Sequence, residues 1–138
     1  MKGLRLFASL GFVALAGCAT ARSADYLYFP GLAQGVLAGD LEAFRQVLAQ
    51  AEVTAPGEQL EELAELSSRF VRLAPVEFLQ AQASAPTCFG ASFLGAAYVD
   101  NPEAVAREFN LRRKALESVG DPALSSVKQR CLDELAGS

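Results

Sequence analysis

The sequence predicts an all-α protein, a small bundle of five or six amphipathic helices. Apolar residues recur every three or four positions along much of the chain, which is the spacing of one helical face. Two dipeptides, Asn101-Pro102 and Asp121-Pro122, each pair a helix-capping residue with a proline suited to the first helical turn. A chain of 138 residues is long enough for one domain with a single modest core.

Three helices are predicted in the first two thirds of the chain, separated by glycine and proline. Asp40 precedes the second helix as its capping residue, and Thr54 with Pro56 predicts the start of the third. Pro75 interrupts the third helix and restarts it through Gln82. The predicted helical segments span residues 32–38, 41–51, 54–73 and 75–82.

The stretch 87–99 predicts a further helix, buried at the centre of the bundle. It is apolar and rich in Gly, Ala and Ser, and small residues let helices approach closely. It is too short to span a bilayer, and Asp100 ends it.

Two capped helices are predicted near the C-terminus. The first follows Asn101 and ends before Gly120, a residue that favours a helix end. The last follows Asp121 and places Cys131 on its apolar face.

The run from 111 to 135, LRRKALESVGDPALSSVKQRCLDEL, resembles one unit of HEAT-type helical repeats. In those repeats basic residues and Ala-Leu often precede Gly-Asp-Pro and the next helix. The resemblance covers about a fifth of the chain, has no second copy, and implies a helical hairpin with a protein-binding habit.

The N-terminus has the pattern of a secretory signal. Lys2 and Arg5 precede a short apolar run, and small residues follow. The four residues Leu15-Ala16-Gly17-Cys18 resemble the lipobox of bacterial lipoproteins. The resemblance implies cleavage before Cys18 and acylation of that residue. The predicted organisation is then a signal peptide over 1–17, a lipidated N-terminus and linker over 18–30, and a single helical domain over 31–138.

An ordinary cleavable signal is the alternative, because cleavage after Ala21 would follow an A-x-A pattern and discard Cys18. Under either reading the mature chain lies outside the cytoplasm. The residue after Cys18 is Ala19, not the aspartate that retains enterobacterial lipoproteins at the inner membrane. The resemblance therefore implies anchoring at the periplasmic face of the outer membrane, with a soluble periplasmic or secreted protein as the alternative.

Composition limits the partners of the mature chain. Without Lys2 and Arg5 it carries ten basic and sixteen acidic side chains, a net charge of −6. Such a domain is a poor nucleic-acid binder, because phosphate neutralisation supplies most of that affinity. The expected partners are the membrane, through the lipid anchor, and an envelope protein.

Cys88 and Cys131 remain if Cys18 is lipidated or removed. Two thiols in an oxidising compartment predict one disulfide, which the chain-entropy model values at about 4 kcal/mol. Two buried free thiols are the alternative.

Catalytic chemistry is poorly represented. The chain contains no histidine, C-x-x-C, P-loop or G-x-G-x-x-G pattern, so the sequence predicts no enzyme, no metal site and no cofactor.

Three groups of residues are candidates for surface contacts. Four glutamates, spaced three and four apart on one helical face, form either a solvated face or a partner-docking face. Two basic residues without an acidic residue four positions earlier are the cations most available to a partner, beside i,i+4 pairs such as Glu108–Arg112. Aromatic residues near the N-terminus either touch lipid or pack on the helices. The groups are Glu58, Glu61, Glu62 and Glu65; Arg113 and Lys114; and Tyr26, Tyr28 and Phe29.

These features favour a non-enzymatic interaction or assembly module. By analogy with pilotins, which are small helical lipoproteins, such a module would hold an envelope component in a groove between helices. A carrier of an apolar ligand and an inhibitor or immunity protein at the envelope are the alternatives. A closed apolar cavity would favour the carrier.

Overall fold

A computed structural model describes residues 22–138, and they form the predicted all-α bundle. Within that range there are six α-helices, three short 3₁₀ turns and no strand. The helices are α1 (Pro30–Leu37), α2 (Leu41–Val53), α3 (Glu58–Leu73), α4 (Pro75–Gln82), α5 (Pro102–Glu117) and α6 (Ser125–Ala136). The 3₁₀ turns are Ser23–Asp25, Ala96–Tyr98 and Pro122–Leu124. The lipobox and the signal peptide lie outside the described residues.

Capping residues set several of the helix starts. The Asp40 side chain accepts a hydrogen bond from the amide of Ala43 at 2.7 Å, and Asn101 does the same for Ala104 at 3.2 Å. Asp121 caps the 3₁₀ turn Pro122–Leu124, so α6 begins only at Ser125.

The third helix begins four residues later than predicted. The Thr54 hydroxyl donates to the carbonyl of Gln50 at 2.7 Å, which satisfies a free carbonyl at the end of α2. Gly57, at φ 145°, then turns the chain into α3. Thr54 therefore ends one helix and does not cap the next.

Helices α1, α2 and α3 form the first part of the core. Phe44 of α2 stacks on Phe70 of α3 with ring centroids 4.3 Å apart, and Phe78 of α4 completes the aromatic cluster at 5.4 Å from Phe44. Gly35 lies at the close crossing of α1 and α2, where a Cβ would come within 2.5 Å of the Ala43 Cβ. Helix α5 packs on α3, and α6 packs on α5.

The predicted helix over 87–99 is wrong. This segment consists of bends and turns, a short stretch without regular structure and the 3₁₀ turn Ala96–Tyr98. Some of its backbone polar groups bond within its own turns, and others pair with side chains of other elements: Ser67 and Gln82 donate to the carbonyl of Phe89 at 2.6 and 2.9 Å. Gly90 has φ +77°, and a Cβ there would lie 2.5 Å from the Ser67 Cβ. The small residues do permit a close approach, but it is a loop that approaches α3.

The predicted disulfide is present. Cys88, at the start of this loop, is joined to Cys131 of α6 with the Cα atoms 5.2 Å apart. Cys131 is fully buried, as its place on the apolar face predicted. No helix within residues 22–138 combines the length and apolar character needed to cross a membrane.

Candidate functional site

A cleft of about 690 Å³ lies between the C-terminal half of α3 and the middle of α5. The loop before α5 forms its third side, and the end of α1 closes one corner. Its charged and hydroxyl-bearing residues are Glu65, Ser68, Arg69, Arg72, Tyr98, Glu108 and Arg112. Its apolar and small residues are Leu37, Leu73, Gly95, Ala96 and Ala97.

Arg112 holds the loop wall of the cleft in place. Its Nη1 donates to the carbonyls of Ala91 and Phe93 at 2.8 and 2.7 Å, and its Nε donates to Oε1 of Glu108 at 3.0 Å. The Arg112 side chain is 3% exposed and that of Glu108 is 9% exposed. A buried guanidinium that makes three hydrogen bonds is a structural support, so we take the cleft to be preformed.

Glu108 also reaches into the cleft. Its second oxygen, Oε2, accepts from Nη1 of Arg72 at 2.9 Å. One carboxylate therefore lies between two guanidinium groups. Arg72 is 46% exposed at the cleft surface, whereas Arg112 is buried behind Glu108.

A second ion pair lies on the same wall of α3. Arg69 donates from Nη2 to Oε1 of Glu65 at 3.1 Å, and both side chains are about two-fifths exposed. This pair is worth little to stability because water screens it. It does keep a second guanidinium at the cleft, one turn before Arg72.

The N-terminal segment is held by the first half of α3. The Glu62 carboxylate accepts hydrogen bonds from three consecutive backbone amides, those of Leu27, Tyr28 and Phe29, at 2.8 to 3.2 Å. Glu58, one turn earlier, accepts from the Tyr28 hydroxyl. We call Glu62 and residues 27–29 the N-terminal clamp.

The tyrosines on either side of Leu27 have different environments. Tyr26 is buried, and its hydroxyl has no hydrogen-bond partner among the described residues. Burial raises the pKa of Tyr26 to about 12, against the opposing effect of the Arg69 charge. Tyr28 is half exposed, and its hydrogen bond to Glu58 raises its pKa above the ordinary value.

The four glutamates that share one helical face do not share one role. Glu58 and Glu62 bind the N-terminal segment, Glu65 pairs with Arg69 at the cleft, and Glu61 is exposed. Of the four, Glu61 fits the prediction of a solvated face best. Arg113 and Lys114 are exposed, do not line the cleft, and form no ion pair with any residue from 22 to 138.

The aromatic candidates also divide. Tyr26 packs in the core, as the alternative reading expected, and Phe29 is partly buried against it. Among residues 26–29 the most exposed is Leu27, at 81%. Sequence reasoning did not single it out.

Sequence reasoning missed the residues that build the cleft. The i,i+4 pair Glu108–Arg112 was predicted, but as part of a helix surface, whereas it is buried. The available signal was that Arg112 shares a helical face with Val105, Phe109 and Leu116. Nothing in the sequence placed Arg72 near Glu108, 36 positions away.

No group of three metal-ligating side chains occurs in the part of the chain that the structure describes. Comparison with protein families, with curated proteins and with solved structures finds no match.

Proposed function

We propose that the mature chain is a lipid-anchored, non-enzymatic interaction module, attached at the periplasmic face of the outer membrane. Its partner is an envelope protein, and a segment of that protein binds in the cleft between α3 and α5. The observation that carries this proposal is the cleft itself, which is preformed by the buried Arg112 and open at the surface. A preformed site loses less conformational entropy on binding.

The position of the cleft relative to the N-terminus supports this assignment. The clamp residue Glu62 lies in the first half of α3, and the α3 residues that line the cleft run from Glu65 to Leu73. About 10 Å of helix separates Glu62 from Arg69, at the middle of the cleft wall. A chain anchored at Cys18 would carry the clamp towards the bilayer, since eight residues from Cys18 to Tyr26 reach at most about 28 Å. The cleft would then lie farther from the bilayer than the clamp.

Exposed apolar residues at the clamp end support the same orientation. Leu27 and Val53 are 81% and 78% exposed, and Tyr28 and Val53 line one shallow depression. Tyrosine and aliphatic side chains are favourable at a membrane interface. In this proposal Leu27, Tyr28 and Val53 contact lipid, and Tyr26 does not.

The carrier and inhibitor alternatives have less support. A carrier of an apolar ligand needs an enclosed apolar cavity, whereas two ion pairs lie on the walls of this open cleft. An inhibitor that used the acidic face of α3 would need free carboxylates, and Glu58, Glu62 and Glu65 are engaged within the chain.

Site-specific crosslinking in intact envelopes tests the proposal. A photoreactive amino acid replaces Ala97 in the cleft or, as the control, exposed Ala123 outside it. We expect one envelope protein to crosslink from position 97 and not from position 123. The same protein should be lost with Cys18→Ser.

Two results would contradict the proposal. Equal crosslinking from both positions would remove the cleft as the partner site. A Cys18→Ser chain that fractionates with the membrane as the wild type does would remove the lipid anchor.

A further inference from the structure

We infer that the cleft recognises a carboxylate flanked by apolar side chains in a peptide segment of the partner. The inference rests on the proposed function, because it specifies the chemistry of the same cleft. Arg72 binds the carboxylate, and Arg69 lies beside it.

Arg72 is the residue with charge and donors to spare. The single carboxylate of Glu108 faces two guanidinium groups, those of Arg72 and Arg112. Arg112 uses its donors on Glu108 and on two backbone carbonyls. Arg72 donates only from Nη1, and its Nε and Nη2 have no acceptor within residues 22–138. These donors suit the paired oxygens of a carboxylate.

The local charge favours an acidic partner. Three arginines and two glutamates line the cleft, a net charge of +1. Residues 22–138 together carry ten basic and sixteen acidic side chains. A positively charged cleft on an acidic domain attracts an acidic segment to that one place, because the rest of the surface repels it.

The apolar residues that line the cleft explain why apolar side chains should flank the carboxylate of the peptide. Leu37, Leu73 and Tyr98 offer apolar contact, and Ala96 and Ala97 leave room for a peptide backbone. Leu73 is exposed, although it is large and apolar. A fatty acid also combines a carboxylate with apolar groups, but a long acyl chain needs enclosure on all sides. The open cleft favours a peptide.

Selection from a displayed library of random peptides tests the inference, with the full lipidated chain in detergent micelles as the target. We expect enrichment of Asp or Glu beside apolar residues. The strongest peptide is then synthesised with its acid and with the matching amide. Arg72→Gln should weaken the acidic peptide by about tenfold or more, and the amide peptide should show a similar loss on the wild type.

The matched control is Arg107→Gln, an exposed arginine of α5 that pairs with Glu103 away from the cleft. It should change affinity by less than about twofold. Arg72→Gln should keep the wild-type circular dichroism, because Arg72 is half exposed. The amide peptide should lose little further affinity on Arg72→Gln, since the interaction is already absent.

The outcomes separate this inference from the proposed function. One outcome is that the selected peptides crosslink to the photoreactive residue at position 97 and yet lack an acidic residue, or bind Arg72→Gln as tightly as the wild type. Either result would overturn carboxylate recognition and leave the cleft as a partner site. Failure to select any peptide that labels position 97 would overturn both. Another outcome is that oleate displaces the bound peptide, binds more tightly than any peptide and loses affinity in Arg72→Gln. That result would mean that the carboxylate in the cleft comes from a fatty acid and not from a peptide.

Discussion

Two segments outside the α-helices are each held by one charged side chain, and the two charges are opposite. Residues 27–29 present three amides to the Glu62 carboxylate. Residues 91–93 present two carbonyls to the Arg112 guanidinium. Irregular backbone has no regular ladder to satisfy its polar groups, so turn hydrogen bonds, side chains or water must satisfy them. The comparison shows that the sign of the side chain selects which backbone groups it can bind.

The two anchors differ in what surrounds them. Glu62 is partly exposed and acts from the surface of α3. Arg112 is buried and depends on Glu108 for its counter-charge. Loss of Glu62 releases one segment to water, whereas loss of Arg112 leaves the carboxylate of Glu108 without its buried partner. We therefore expect a local effect at the N-terminal clamp and a global effect at Arg112.

Arg112→Met carries the largest expected effect. It keeps an unbranched apolar stem but removes the guanidinium and its charge. Glu108 is then buried beside Arg72 alone, and the carbonyls of Ala91 and Phe93 are unpaired. The free energy of unfolding should fall by about 3–5 kcal/mol, measured by urea denaturation. Arg113→Met, at an exposed neighbour, should change it by less than about 0.5 kcal/mol. Equal losses in the two variants would mean that Arg112 does not support the loop.

The disulfide tests whether Arg112 holds its loop alone. Cys88→Ser with Cys131→Ser should lower the free energy of unfolding by about 4 kcal/mol, because the unfolded chain gains freedom. Dithiothreitol should destabilise the wild type by a similar amount and leave the double variant unchanged. The triple variant combines Arg112→Met with both cysteine substitutions. If its loss of unfolding free energy equalled the sum of the two separate losses, the disulfide and Arg112 would act independently.

The N-terminal clamp should respond more weakly. Glu62→Gln leaves one acceptor oxygen for three amides and removes the charge, so the segment should lose about 1–3 kcal/mol. Hydrogen exchange should accelerate at the amides of residues 27–29 and stay unchanged near Arg112. Glu61→Gln, at the exposed neighbouring position, is the control. Unchanged exchange at residues 27–29 would show that Glu62 does not hold them.

The sequence allowed the helices to be predicted, because their signals are local. Asn101 and Asp40 cap helices where their positions predicted. The disulfide could be predicted because only Cys88 and Cys131 remain once Cys18 is set aside as the predicted lipidation site, and the predicted compartment is oxidising. Thr54 misled the prediction because a threonine can bond backward to the preceding helix or forward to the next.

The two anchored segments could not be predicted, because their contacts are distant in sequence. Glu62 meets its three amides across 33 to 35 positions, and Arg112 meets its two carbonyls across 19 to 21. The composition of 87–99 suits a buried helix and a buried loop equally well. Two features favour the loop. Gly90 packs closely against Ser67, and side chains from three other elements donate hydrogen bonds to the backbone carbonyls of the segment.

Substitution of Tyr26 should have the smallest effect on the free energy of unfolding at neutral pH. At high pH the titration of Tyr26 reports on the N-terminal clamp. Its folded-state pKa, about 12, lies above the ordinary value of 10.0 because burial disfavours the tyrosinate. The folded chain thus holds this proton more tightly, and stability falls as the pH rises from about 10 to about 12. Tyr26→Phe should be nearly neutral at pH 7, because the hydroxyl has no hydrogen-bond partner among the described residues. The variant should also lack this part of the alkaline loss.

Absorbance of tyrosinate near 295 nm measures the titration, and the difference between the wild type and Tyr26→Phe isolates Tyr26. In Glu62→Gln the weakened clamp should expose Tyr26 and bring its pKa back towards 10. In Arg112→Ala, which changes the other anchored loop, the pKa of Tyr26 should stay near 12 as long as the chain stays folded. A Tyr26 that still titrates near 12 in Glu62→Gln would mean that core packing alone holds this tyrosine. The clamp would then order residues 27–29 without supporting the residue before them.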